Sequence, residues 1–318
     1  MGQTFQWVPD MPSGIMRNNY LSGKLRYAAF ADSKGMQFVK AEDGYGKRMG
    51  DTVTIPRVRN VDEPTSGLLS RTGKIPIDTL AISTRAITVA EYGRGLEFTE
   101  ESKLLSKFDP EDMIQNRLKV QMKLTIDTVI FTAFKACQIR YGPTSAVGGT
   151  FTTDAGVTSQ VATNNITVGH IKIIRDYLDT TIHAPTYEND TYMSLASVRA
   201  LRGIKDDPEW MGWRAYIQPE QAFFKGEVGE IEDIRFVKVN HNNALDDTVG
   251  TGSLLGEMLF FGQDPVVMCE VQTPELRAAI ASDFGRQRAV AWYGVLAFGE
   301  TWNTSNDGEA RIIYVTSS

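Results

Sequence analysis

The longest regular pattern of hydrophobic and polar positions lies in residues 108–138. Apolar side chains recur there at every fourth position: Ile114, Leu118, Met122, Ile126, Ile130 and Phe134. This spacing is typical of one face of an α-helix. Asp109 can cap the first turn and Pro110 suits its first position, so the pattern predicts a helix roughly 40 Å long at ~1.5 Å per residue. Three polar residues lie off the apolar stripe and are expected to face solvent or an interface: Gln121, Asp127 and Lys135.

Two stretches alternate apolar and polar residues in the manner of β-strands. They are GDTVTIPRVRN at 50–60 and LAISTRAITVAEYG at 80–93, and a polar connection rich in turn-forming residues separates them. Pro56 cannot donate a ladder hydrogen bond, so the first strand is expected at an edge. The pattern predicts a long hairpin that projects from the body. An isolated two-stranded hairpin is only marginally stable, so this one needs another surface to rest on.

The remainder of the chain mixes short helical and strand patterns. Residues 1–50 lack sustained periodicity but are rich in aromatic side chains, which predicts an extended arm packed on its own domain or on a neighbour. Residues 141–166 are rich in Gly, Ser and Thr and are typical of a connection between domains. A helix is predicted from about residue 168, and strands dominate the C-terminal part. Because no regular βαβ alternation appears, the predicted fold class is α+β.

The stretch GEVGEIEDIRFVKV, residues 226–239, tests whether the chain binds phosphate through a glycine-rich loop. Such a loop needs a helix N-terminus directly after its glycines. IRFVKV alternates as a strand does, and the acidic Glu227, Glu230 and Glu232 would repel an anion. We therefore interpret the glycines as turn residues that lead into a strand.

Composition and charge narrow the possible functions. The 318 residues carry a net charge of −6, which argues against a broad basic surface for nucleic acid. Cys137 and Cys269 stand in apolar surroundings and are expected to be free thiols in a reducing compartment. The N-terminus lacks the pattern of a signal peptide, and no apolar run approaches the ~20 residues of a membrane span. The sequence favours a soluble protein of the cytoplasm that has no membrane contact.

No motif for catalysis stands out. The three histidines, His170, His183 and His241, form none of the common metal-binding spacings, and no GxSxG motif is present. We therefore expect no enzyme activity, no metal and no cofactor, although a hydrolase with a dispersed site remains an alternative because such residues need only spatial proximity. Aromatic residues around 210–224 can stack bases, but the nearby acidic residues make a core or a subunit interface the favoured interpretation.

The order of these parts resembles the major capsid protein of tailed bacteriophages, which has the shell fold named after the Hong Kong phage. The resemblance rests on GEVGEIEDIRFVKVN, on EMLFFGQDPVVM and on AWYGVLAFGETWN, and it spans roughly residues 50–318. It implies a long spine helix, an extended hairpin loop, an axial domain and a peripheral domain. The implied division is 1–50 N-terminal arm, 51–91 hairpin loop, 92–140 peripheral domain with the spine helix, 141–165 linker, 166–260 axial domain, and 261–318 strands returning to the peripheral domain.

The resemblance also implies a function. Copies would assemble as hexamers and pentamers into an icosahedral head that encloses double-stranded DNA without sequence-specific binding. Such a protein is assembled in the host cytoplasm and resides in the virion, with scaffolding, portal and decoration proteins as expected partners. An encapsulin-like nanocompartment shell is the related alternative. The residues expected at inter-subunit contacts are Arg57, Arg59, Asp62, Glu63, Arg71 and Lys74 in the hairpin, and Trp210, Trp213 and Tyr216 near the axial contacts.

Overall fold

A computed structural model describes the chain in ten ranges: 31–42, 45–61, 67–69, 71–106, 109–153, 164–210, 227–249, 255–280, 283–302 and 304–317. Most of the arm predicted for residues 1–50 therefore lies outside the described residues. The described helices are α1 (Glu100–Leu105), α2 (Pro110–Lys135), α3 (Val168–Asp176) and α4 (Leu201–Lys205). The described strands are β1 (Val39–Ala41), β2 (Thr52–Val58), β3 (Ile82–Thr88), β4 (Ala90–Thr99), β5 (Ile139–Pro143), β6 (Gly149–Thr152), β7 (Tyr192–Ser197), β8 (Glu227–Ile231), β9 (Ile234–Val239), β10 (Gly256–Phe261), β11 (Val266–Ala278), β12 (Gln287–Glu300) and β13 (Ile312–Ser317).

The predicted long helix is confirmed as α2. Asp109 caps it, since its side chain accepts a hydrogen bond from the Glu111 amide, and Pro110 is its first residue. Leu118, Ile130 and Phe134 on the predicted stripe are fully buried. The expectation for Asp127 is wrong: this residue is also fully buried, because its carboxylate binds a segment from a distant part of the chain.

A seven-stranded sheet forms the largest layer, with the strand order β6-β5-β13-β10-β7-β9-β8. Its central strands β7, β10 and β13 are buried at every position. One face packs against α3, and the other packs against the C-terminal half of α2. The near-continuous apolar runs of these strands follow from this burial on both faces.

A four-stranded sheet has the order β1-β11-β12-β4. The N-terminal half of α2 packs on it, with Leu118 against Phe98, Val290 and Trp292. The strands β2 and β3 form a separate two-stranded sheet, as the predicted hairpin requires. The helix α2 thus lies across both larger sheets and connects them through one continuous apolar face.

Several strands that follow one another in the sequence belong to different sheets. The C-terminal strand β13 pairs with β10 and β5 in the seven-stranded sheet, whereas β11 and β12 belong to the four-stranded sheet. The stretch 141–165, expected to be a linker, contributes the end of β5 and all of β6 to the larger sheet. The division into axial and peripheral domains stays a prediction.

The strand IRFVKV is confirmed as β9, but the turn before it is not made by glycine. Glu232 and Asp233 form the two-residue turn between β8 and β9, with φ values of 49° and 60°. Two such positive values are typical of the hairpin turns whose twist matches the flanking strands. Gly229 instead lies inside β8 at an irregularity in the register, with φ 154°.

Candidate assembly surfaces

The hairpin, which we define as β2, β3 and their connection (residues 52–88), carries an apolar surface that the described residues leave in solvent. The two strands pair from Thr52 with Thr88 to Val58 with Ile82. Leu68 is 90% exposed and Ile77 is 92% exposed. The large exposed apolar side chains of the hairpin are Val58, Val61, Leu68, Leu69, Ile75, Ile77, Leu80 and Ile82. An exposed apolar surface of this extent is typical of an interaction site.

The base of the hairpin packs on the body of the subunit. Ile87 of β3 is buried against Val267, Cys269 and Ala297 of β11 and β12. Gly299 permits this contact, because a Cβ there would lie 2.8 Å from the Ile87 side chain. The hairpin therefore starts from a packed base and extends into solvent.

Two of the predicted contact residues lie at this base and contact their own chain. The Arg57 Nη1 donates a hydrogen bond of 2.9 Å to the Thr301 carbonyl, and its guanidinium lies 5.3 Å from the centre of the Trp302 ring. The Arg59 Nε donates to Glu309 Oε1 at 2.7 Å. Both arginines thus hold the hairpin against the segment after β12, and their role between subunits stays a prediction.

A buried carboxyl group lies under the same hairpin base. Glu300, the last residue of β12, is 1% exposed, and its Oε1 lies 3.6 Å from Arg85 Nη2. Neither oxygen of this carboxyl accepts a hydrogen bond from any residue in the described ranges. Burial raises the pKa of Glu300 to about 7, although the charges of Arg85 and Arg57 act in the opposite direction.

The other predicted contacts are distributed unevenly. Arg71 and Lys74 are exposed in the connection of the hairpin, while Asp62, Glu63, Trp213 and Tyr216 lie outside the described residues. Trp210 is buried in the core beside α3, edge-to-face with Phe236 at a ring distance of 5.8 Å. This packing explains Gly229, where a Cβ would lie 3.2 Å from the Trp210 ring. A contact of Trp210 with another subunit stays a prediction.

Asp127 is a structural residue that the sequence interpretation missed. Its Oδ1 accepts hydrogen bonds from Ser33 Oγ at 3.0 Å, from the Lys34 amide at 3.1 Å and from the Gly35 amide at 2.7 Å. Its Oδ2 lies 3.0 Å from His241 Nδ1. One carboxylate therefore attaches the N-terminal segment and the loop after β9 to the long helix. No local signal marks it, because its partners lie about ninety residues before it and more than a hundred after it.

A second apolar surface lies where β11 and β12 turn. Ile280 is 96% exposed and Phe284 is fully exposed, and Phe284 has a positive φ of 55°. The Glu100 amide donates a hydrogen bond to the Arg286 carbonyl, which places α1 at the same end of the four-stranded sheet. Leu104 and Leu105 of this helix are also exposed. This end of the sheet is a second candidate contact surface.

The described part of the chain was compared with the requirements of metal ligands, reactive thiols and membrane-spanning helices. Within the ten ranges, His, Cys, Asp and Glu side chains form no group of three or more that could hold a metal ion. The two cysteines are buried, and burial raises the pKa of Cys137 to about 12 and that of Cys269 to about 11. None of the described helices combines the length and the apolar character needed to cross a membrane.

Comparison with known proteins gives matches at the level of structure. No family model and no curated protein sequence matches the chain. The capsid asymmetric unit of cyanophage Pam1 matches with a TM-score of 0.70 and 14% identity, over 95% of this chain and 96% of that one. The capsid of Ralstonia phage GP4 matches with a TM-score of 0.67 and 17% identity, over 99% and 98% of the two chains. The head of Helicobacter pylori bacteriophage KHP40 matches with a TM-score of 0.69 and 11% identity, over 94% of both.

These matches cover nearly the whole length of each chain, so they concern the complete architecture and not one shared module. The predicted fold, α+β of the phage capsid shell type, is confirmed.

Proposed function

We propose that this chain is the major capsid protein of a tailed bacteriophage, a non-enzymatic subunit that assembles as hexamers and pentamers into an icosahedral head. The fold supports this proposal, since the matched solved structures are phage capsids or heads along 94–99% of this chain. The observation that carries it is the hairpin, whose apolar side chains the described part of the chain leaves in solvent.

The exposed hairpin is physically unfavourable in a lone subunit. Burying one Leu or Ile side chain contributes about 1.5–3 kcal/mol, and the hairpin presents eight large apolar side chains to water. Contact with a neighbouring subunit that covers these side chains is stabilised by this free energy. In a closed shell every copy of the subunit makes the same contact. Single exposed ion pairs contribute only about 0–1 kcal/mol, so we expect apolar contacts to dominate over charged residues such as Arg71 and Lys74.

The charge of the chain suits a container for DNA. A net charge of −6 disfavours tight binding of the genome to the shell, because affinity for phosphates depends on Lys and Arg. The head would thus enclose double-stranded DNA without reading its sequence. We further propose the virion as its location, assembly in the host cytoplasm, and scaffolding, portal and decoration proteins as partners.

Deletion of residues 61–75 tests the role of the hairpin. We expect a folded subunit that no longer closes shells, because the deletion removes Val61, Leu68, Leu69 and Ile75 from the exposed apolar connection and leaves the packed base. The double variant Ile75→Asp and Ile77→Asp should fail in the same way without shortening the chain. The conservative variant Asp78→Asn with Thr79→Ser, in the same exposed connection, serves as the matched control and should assemble normally.

Electron microscopy and sedimentation of these variants give the outcome. Normal particles from both the deletion and the double Asp variant would contradict the assignment of the hairpin. Particles that copurify with an enzyme cargo instead of DNA would favour a nanocompartment built on the same fold.

A further inference from the structure

The buried Glu300 lies at the joint between the hairpin and the body of the subunit. It belongs to β12 of the body, whereas the cations that face it belong to the hairpin: Arg85 on β3 and Arg57 on β2. Any movement of the hairpin at its base therefore changes the distance between this carboxyl group and its neutralising charges. The protonation of Glu300 and the position of the hairpin are thus physically linked.

The other titratable groups around Glu300 do not replace these arginines. Cys137, which follows α2, also feels the charge of Glu300, but burial keeps its thiol neutral by raising its pKa to about 12. Glu309 binds Arg59 at 2.7 Å and also accepts hydrogen bonds from Thr304 and Asn306. The charge balance at Glu300 therefore depends on the two arginines of the hairpin.

The distances show that the contact is incomplete. Arg85 Nη2 stands 3.6 Å from Glu300 Oε1, whereas a charge-assisted hydrogen bond between such groups is about 2.7–2.9 Å long. Arg85 Nε also has no hydrogen-bond partner among the described residues. A movement of about 1 Å would form direct bonds to a charged carboxylate. A neutral carboxyl offers much less attraction for the same movement.

We propose that Glu300 is a proton-controlled latch for the hairpin: its ionised carboxylate draws the Arg85 guanidinium into direct contact with β12, and its protonated form releases that contact. The latch would set how firmly the hairpin is held before a neighbouring subunit covers it. Direct contact with Arg85 lowers the pKa of Glu300. For each pKa unit of this lowering, the equilibrium between the released and the held hairpin shifts tenfold towards the held form at high pH. The pKa of Glu300 is about 7 in the structure, where the direct contact is not formed. We therefore expect the midpoint of the transition between released and held hairpin at or below pH 7.

Spin-label distance measurements can detect this latch. Labels at Thr79→Cys in the hairpin connection and Lys123→Cys on α2 occupy exposed positions, and the two native cysteines are buried. Doubly labelled full-length chain is diluted into unlabelled chain, so that one pair is measured per molecule whether or not shells form. Between pH 5.5 and pH 8.5, the ionised fraction of a group with a pKa of about 7 rises from about 3% to about 97%. We expect a broad distance distribution at pH 5.5 that becomes narrow at pH 8.5.

Variants separate the latch from a general effect of pH. Glu300→Gln, which mimics the protonated carboxyl, should give the broad distribution at both pH values. Arg85→Gln should do the same although it keeps the carboxyl group, and it carries the test if Glu300→Gln does not fold. Glu230→Gln, which removes the ion pair with Arg235 in the β8–β9 hairpin, is the control and should respond as the unchanged protein does.

Two results would overturn the latch: a wild-type distribution that is the same at both pH values, or a narrowing with pH that persists in Glu300→Gln or Arg85→Gln. Neither result depends on shell formation, so the failure of the latch leaves the proposed capsid function standing.

Discussion

Asp127→Ala removes the carboxylate that attaches the N-terminal segment to α2. In the unchanged protein this fully buried side chain accepts hydrogen bonds from Ser33, Lys34 and Gly35, and it pairs with His241. We expect the substitution to release the segment around residue 34 from the helix. The long helix itself should persist, because its cap at Asp109 and its apolar face are unaffected.

The magnitude follows from the number of donors that lose their acceptor. Each buried donor left without a partner costs about 1–3 kcal/mol. Three donors bind Oδ1, and the Lys34 and Gly35 amides can recover part of the cost by detaching into water, so we expect a loss of about 3 kcal/mol, near the lower end for three donors. At 1.36 kcal/mol for each tenfold change, this corresponds to roughly hundredfold faster opening of the segment.

Amide hydrogen exchange at Lys34 and Gly35 measures that opening directly. The control is Asp112→Ala, since Asp112 is exposed in the first turn of the same helix and contributes at most about 1 kcal/mol through the helix dipole. We expect exchange at residues 34 and 35 to accelerate in Asp127→Ala and to remain slow in Asp112→Ala. Unchanged protection of both amides in Asp127→Ala would refute the anchoring role of this carboxylate.

Two further predictions concern the stability of the subunit. Gly229→Ala should destabilise the fold by about 1–3 kcal/mol, because a side chain there combines an unfavourable backbone conformation with a Cβ 3.2 Å from the Trp210 ring. The control is Gly46→Ala, whose Cβ would meet no atom within 4 Å. Equal unfolding midpoints for the two variants would contradict this role of Gly229. Burial raises the pKa of Glu300 from 4.5 to about 7, so its contribution to stability is complete below pH 4.5 and is lost as the pH rises through 7, by up to ~3 kcal/mol. The difference in unfolding free energy between wild type and Glu300→Gln should therefore change between pH 5 and pH 8, and a difference independent of pH would be inconsistent with a buried, titrating carboxyl.

Elements with local signals could be predicted from the sequence. The long helix can be predicted from an apolar residue at every fourth position and from Asp109 and Pro110 at its start. The strands β2 and β3 follow from alternation, and α3 follows from Ile171 and Ile174 on one face. In each case the determining residues are neighbours in the sequence, so their pattern is readable before any tertiary contact is known.

Features that depend on distant residues could not be predicted in this way. Asp127 has the spacing of a solvent-facing residue, and only its bonds to residues 33–35 make it a buried anchor. The sequence pattern predicts a glycine turn before β9, yet Glu232 and Asp233 adopt the positive φ values while Gly229 makes room for Trp210. The placement of β13 beside β5 depends on pairing across more than 170 positions, for which the strand itself carries no signal.

Glu300 and Asp127 each lie where a segment that extends from the subunit meets its body. Asp127 holds residues 33–35 against the long helix, and Glu300 lies under the base of the hairpin. Both carboxyl groups are buried on the body; Asp127 accepts hydrogen bonds from the N-terminal segment, whereas Glu300 faces Arg85 of the hairpin at 3.6 Å. Rigid attachment of the extensions reduces the entropy lost when a neighbour binds them.

Electron microscopy of the purified full-length chain, alone and coexpressed with its candidate scaffolding protein, shows whether the chain forms a shell. We expect closed icosahedral particles made of hexamers and pentamers, with the hairpin of each subunit covered by its neighbour. A protein that stays monomeric or forms only small oligomers under both conditions, with the hairpin still in solvent, would contradict the assignment as a capsid subunit.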